Sequence, residues 1–166
     1  MNRALLILGL SAALSACGVL RDVASPPAAG APDPQAGRDW IYAADGGTGR
    51  LAFGTPQSDD VALMMSCAQG SGRVTVQANL PQELAGSPPK LTLVSGSTRA
   101  TFLASAEASQ LEAGNVFLTA QTRARDPVLV AFRRNGWIGI SRGDTTDRFA
   151  PQPGTSAVGQ FFAYCG

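Results

Sequence analysis

Between Val61 and Leu80 side-chain character alternates with a period of two. Val61, Leu63, Met65 and Cys67 are interleaved with Ala62, Met64, Ser66 and Ala68, and Val74, Val76, Ala78 and Leu80 with Thr75, Gln77 and Asn79. Successive side chains of a strand point to opposite faces, so the pattern reads as two half-buried antiparallel strands. Gln69-Gly70-Ser71-Gly72 supplies the glycines of a short turn, which makes the pair a hairpin. A helix over Asp59 to Ala68, capped by Ser58 and carrying Val61, Met64, Met65 and Ala68 on one face, is the competing reading. The strand is preferred because it buries Cys67 and gives Arg73 to Leu80 a partner.

Further strands are predicted at Trp40 to Ala44 and Arg50 to Gly54, joined by the glycine-rich Asp45 to Gly49. Others are expected at Leu91 to Val94, Thr98 to Ala104, Val116 to Gln121 and Trp137 to Ser141. Two segments change period. Asp126-Pro127 is an N-cap and first-turn pair, Val128, Leu129 and Phe132 share a face, and Asn135-Gly136 is a stop. Val158, Phe161, Phe162 and Cys165 fall at i, i+3, i+4 and i+7 and define a last short helix with Cys165 on its apolar face. The expected fold is mostly β, all-β or α+β: an antiparallel sheet, small barrel or sandwich with two short helices, the second C-terminal.

Ahead of this domain stands a different kind of sequence. Arg3 precedes an apolar run from Ala4 to Ala13, and then comes Leu14-Ser15-Ala16-Cys17. The apolar run is too short to span about 30 Å of hydrocarbon, which takes roughly 20 helical residues. The four-residue string resembles the lipobox of bacterial lipoproteins. That resemblance implies a signal peptide over residues 1–16 and a diacylglycerol on Cys17. At about 0.8 kcal/mol per buried methylene, two or three acyl chains would hold the protein at the bilayer. Gly18, where an aspartate would retain such a protein at the inner membrane, implies the outer membrane facing the periplasm. The folded domain itself resembles no specific family.

On that reading Cys67 and Cys165 remain in an oxidising compartment, where one disulfide is the expected state; two free buried thiols are the alternative. The bridge would staple the last helix to the strand bearing Cys67. With no histidine, and no second cysteine at close spacing, a zinc site is not expected, nor is any other metal or cofactor. Residues 17–38 form the lipid anchor and a Pro/Ala-rich flexible linker, whose stretch 21–38 has a reach of about 50 Å at roughly 3.1 Å per residue. Residues 39–166 are left as a single domain. Removing Arg3 from the 13 basic residues leaves 12 against 12 acidic, and a near-neutral domain has no field to draw it to nucleic acid.

The lack of histidine also removes Ser-His-Asp and Cys-His catalysis. Ser87-Pro88-Pro89-Lys90 matches the Ser-x-x-Lys spelling of penicillin-interacting enzymes, but its prolines deny the helix that chemistry needs, and a loop is expected. Asp59-Asp60 as a catalytic pair, Asp45 to Arg50 as a phosphate cradle, and Asp144 with Asp147 as calcium ligands all read better as turn residues. Trp40, Tyr42, Trp137 and Phe149 are either a binding face or core. Arg123, Arg125, Arg133 and Arg134 gather around the first helix as a candidate binding surface for peptidoglycan carboxylates, lipid phosphates or a protein.

No catalytic residue is assigned. The expectation is a lipid-anchored envelope protein acting as a binding or assembly accessory, with a membrane and an envelope protein as partners. Inhibition of lysozyme, on a faint likeness at Ser95-Gly96-Ser97, is the alternative binding role. A histidine-free cell-wall hydrolase is the alternative of another class.

Overall fold

The computed structural model describes residues 30–110, 113–142 and 144–166. The lipobox, Cys17 and the linker up to residue 29 lie outside them. The domain is mostly β. Nine strands run β1 Asp39–Asp45, β2 Thr48–Gly54, β3 Val61–Ala68, β4 Arg73–Pro81, β5 Lys90–Ser95, β6 Thr98–Ala108, β7 Asn115–Arg123, β8 Ile138–Arg142 and β9 Thr145–Phe149. Helix α1 (Pro127–Asn135) lies between β7 and β8, and α2 (Ala157–Cys165) ends the chain. No helix among the described residues is long and apolar enough to cross a membrane.

All neighbours in the sheet are antiparallel, in the order β1-β2-β3-β4-β7-β6-β5-β8-β9. Local chemistry accounts for the hairpins. Asp45 pairs with Thr48 across Gly46-Gly47, both with positive φ, the conformation a two-residue turn between twisted strands requires. The segment from Val61 to Ala68 is a strand, paired with both β2 and β4. Helix α1 starts where Val128 N donates to Asp126 Oδ1 at 3.1 Å and stops at left-handed Gly136.

One face of the sheet is the core face. Leu63, Met65, Val76, Leu93, Leu118 and Ile140 are fully buried there, and the sheet curls around Phe132 of α1 and Phe161 of α2. Trp40, Trp137 and Phe149 belong to this core, each about 3% exposed, and so are not a binding face. Tyr42 is half-buried beside Tyr164.

Cys67 and Cys165 form the disulfide, with Cα atoms 5.8 Å apart. The same corner carries backbone bonds. The ladder between β3 and β4 ends at Ser66 and Thr75, and past it the hairpin tip turns to α2. Gly70 N donates to Tyr164 O at 2.9 Å and Gly72 N to Cys165 O at 2.8 Å, satisfying carbonyls that a helix end leaves open.

Two features depart from expectation. Asp147, read as a turn residue, lies in β9 and pairs with Arg142 of β8 at 2.6 Å. The end of the proline-rich stretch is tied to the domain: Gln152 Nε2 donates to Gln35 O and Arg38 O, Gln35 Nε2 donates to Arg148 O, and Arg38 pairs with Asp60. Gln35 and Arg38 are therefore part of the folded unit.

Candidate functional site

The outward face of β2, β3, β4, β7 and β6 carries an extended, ordered polar surface. Register places its side chains in rungs across the strands. One rung reads Arg50, Ser66, Thr75, Gln121, and the next Ala52, Met64, Gln77, Thr119, Ser105. Beyond it Asn79, Phe117 and Glu107 are aligned, and at the opposite end Arg73 stands directly across from Arg123.

Two depressions follow one another along β4 on this face. The first, about 500 Å³, opens where β3 and β4 part, and is bordered by Ser66, Thr75, Gln121 and the two arginines. The second, about 930 Å³, is lined by Met64, Gln77, Asn79, Phe117 and Thr119, with Asp59, Asp60 and Glu107 at its rim. From Arg73 to Asn79 is six residue steps, or about 20 Å at roughly 3.3 Å per residue. Ser66, Thr75, Gln77, Asn79, Phe117 and Thr119 are half-buried although they face away from the core. Gln77 Nε2 donates to Thr119 Oγ1 at 3.4 Å, and Asn79 Oδ1 is buried with no hydrogen-bond partner in the described structure.

Charge is divided along the trough. Arg73 and Arg123 are exposed and form no ion pair among the described residues. Like charges directly opposed on neighbouring strands destabilise a sheet. Asp60 is bound by Arg38 Nη2 at 2.6 Å and accepts from Thr55 Oγ1 at 3.0 Å, so its role is structural. Asp59 and Glu107 are exposed carboxylates.

The four arginines expected as one surface are separated. Arg123 joins Arg73 at the end of the trough, and Arg125 lies in the turn before α1. Arg133 and Arg134 are exposed in the last turn of α1, at the negative end of its dipole, about 9–10 Å along the axis from its start. Ser87 to Pro89 form a turn leading into β5, so Ser87 and Lys90 do not share a helix. Ser95 is buried: its hydroxyl donates to Trp137 O at 2.7 Å and accepts from Asn135 Nδ2 at 3.2 Å, which occupies it in the fold. The lipid-attachment residue Cys17 is outside the described residues.

Sequence reasoning had the outward polar residues of β4 in view, as the partners of its buried alternation. It did not bring them beside Phe117 and Thr119, because the pairing of β4 with β7 has no local signal.

No known family model matches the chain, and no curated protein or solved structure is significantly similar to it.

Proposed function

We propose that this chain is a lipid-anchored protein of the bacterial cell envelope that acts by binding, as an assembly accessory and not as a catalyst, with the trough on the outer sheet face as its binding surface. The observation that carries the reading is the opposed pair Arg73 and Arg123, unneutralised among the described residues, at the head of a half-buried row of hydroxyl and amide side chains. A sheet gains no stability from such a pair, whereas a ligand anion would. The lipobox at Leu14 to Cys17 supports the membrane tether, and the disulfide supports an oxidising compartment.

The test uses the full chain in its own membranes. A photo-crosslinking residue at Gln121 should capture a ligand, and one at exposed Val130 on α1 should not. Equal capture at both positions overturns the assignment of the face. Cys17→Ala should move the protein from the membrane to the soluble fraction, and retention overturns the tether. Release of muropeptides from sacculi would favour the hydrolase instead, and stoichiometric slowing of lysozyme would favour the inhibitor.

A further inference from the structure

Resting on that reading of the trough, we infer that its occupant is a carboxylate-bearing glycan strand of the cell wall, lying along β4 with a carboxylate at Arg73 and Arg123.

The basic end sets the anion. Two guanidinium groups on adjacent strands present fork-shaped donors to one side of the sheet, a geometry that takes a planar carboxylate in paired hydrogen bonds. The middle sets the neutral part. Ser66, Thr75, Gln77, Thr119 and Gln121 offer donors and acceptors without charge, which suits hydroxyl and acetamido groups. Phe117 adds a half-buried aromatic ring beside Asn79, whose Oδ1 lacks a partner, so an apolar face and a polar edge are available together.

The far end sets what is excluded. Glu107 and Asp59 are exposed there, so a polyanion laid along the whole trough would meet like charge. Nucleic acids and multiply phosphorylated lipids are disfavoured on that ground. A peptide-substituted wall glycan carries carboxylates and also amines, and can match both ends. A length of about 20 Å fits a strand better than a single small molecule. The proposed tether keeps the trough close to wall material.

The experiment compares two probes on the full chain in detergent: soluble glycan-peptide fragments released from purified sacculi by a muramidase, and neutral chitohexaose. The fragments should bind at least about tenfold more tightly, a difference of about 1.4 kcal/mol. Arg73→Gln and Arg123→Gln should each erase most of that difference without lowering the melting transition, since each removes a like-charge repulsion, and Arg134→Gln should leave the difference unchanged. Equal binding of the two probes overturns the inference, as does wild-type affinity in both trough variants. If the fragments fail to bind while the Gln121 crosslinker captures a protein, the glycan assignment falls and the binding-module reading stands. If neither engages the face, both fall.

Discussion

Phe53 of β2 and Phe149 of β9 are in ring contact, with centroids 5.0 Å apart. Their strands lie seven places apart in the sheet order, so a flat sheet would hold them about 34 Å from one another at roughly 4.8 Å per strand. The contact is therefore a measure of the curl: the sheet bends until its two ends share one aromatic core with Trp40, Phe132 and Phe162. Phe53→Ala should cost about 3–5 kcal/mol in chemical denaturation, the usual range for a fully buried phenylalanine. Leu103→Ala, at a site 73% exposed, should stay within about 0.5 kcal/mol. Comparable losses at both sites would show that the aromatic contact does not hold the ends together.

The disulfide closes a loop with a sequence separation of 98, and its main effect is to restrict the unfolded chain. On the chain-entropy model its loss should lower stability by up to about 4–5 kcal/mol. Cys67→Ser with Cys165→Ser should give that loss in a denaturant titration without changing far-ultraviolet circular dichroism. The bonds from Gly70 and Gly72 to the end of α2 remain to hold the corner. Two free thiols per chain in the oxidised wild type would overturn the assignment.

What was legible in the sequence was local. The hairpins β1–β2 and β3–β4, the Asp126 cap and the apolar stripe of α2 each depend on residues a few positions apart, and alternation around Cys67 correctly outweighed the helical reading of the same segment. Strand β9 escaped because its sequence, Thr-Thr-Asp-Arg-Phe, is nearly all polar and buries only Phe149. The pairing of β4 with β7 depends on how the sheet closes over both helices, and no short window encodes that. For the same reason Arg123 could be noticed as basic without Arg73 being recognised as its neighbour. The half-burial of Phe117 on an outward face was invisible for the same cause.

Gly54 sits at the irregular step between β2 and β3, where a Cβ would strike the backbone carbonyl of Asp60. Backbone cannot swing aside as a side-chain tip can, so Gly54→Ala should destabilise by about 1–3 kcal/mol. Gly159, inside α2, has nothing within 4 Å of the same position. Gly159→Ala should stabilise by about 0.5–1 kcal/mol because it narrows the unfolded ensemble. Thermal melts of the two variants should shift in opposite directions, and a common direction would contradict the packing around Gly54.

Tyr42 is half-buried, its ring centroid 6.2 Å from that of Tyr164. Burial, and then repulsion from Tyr164, raise its pKa above the ordinary 10.0. The folded state therefore holds this proton to higher pH than the unfolded state does. The contribution is fully present below pH 10.0 and is lost as pH rises through the folded-state pKa. Urea midpoints should fall across that alkaline window in the wild type and fall less in Tyr42→Phe. Identical declines would remove Tyr42 as a cause.

Asp39 latches the first strand to the segment that follows the last one. Its Oδ1 accepts from Trp40 N at 2.7 Å and from Gln152 N at 2.9 Å, and its Oδ2 accepts from the Thr155 hydroxyl. One carboxylate thus ties β1 to the chain between β9 and α2, next to the point where Gln35 and Arg38 are bound by Gln152. Removing it leaves two partners beyond its own strand without an acceptor, and hydrogen bonds to a charged group are worth about 1.5–3 kcal/mol. Asp39→Ala should lose that amount and speed amide exchange at Gln152, while Asp39→Asn, which keeps one acceptor oxygen, should lose less. Unchanged exchange at Gln152 in Asp39→Ala would mean that the aromatic core alone holds the ends of the sheet.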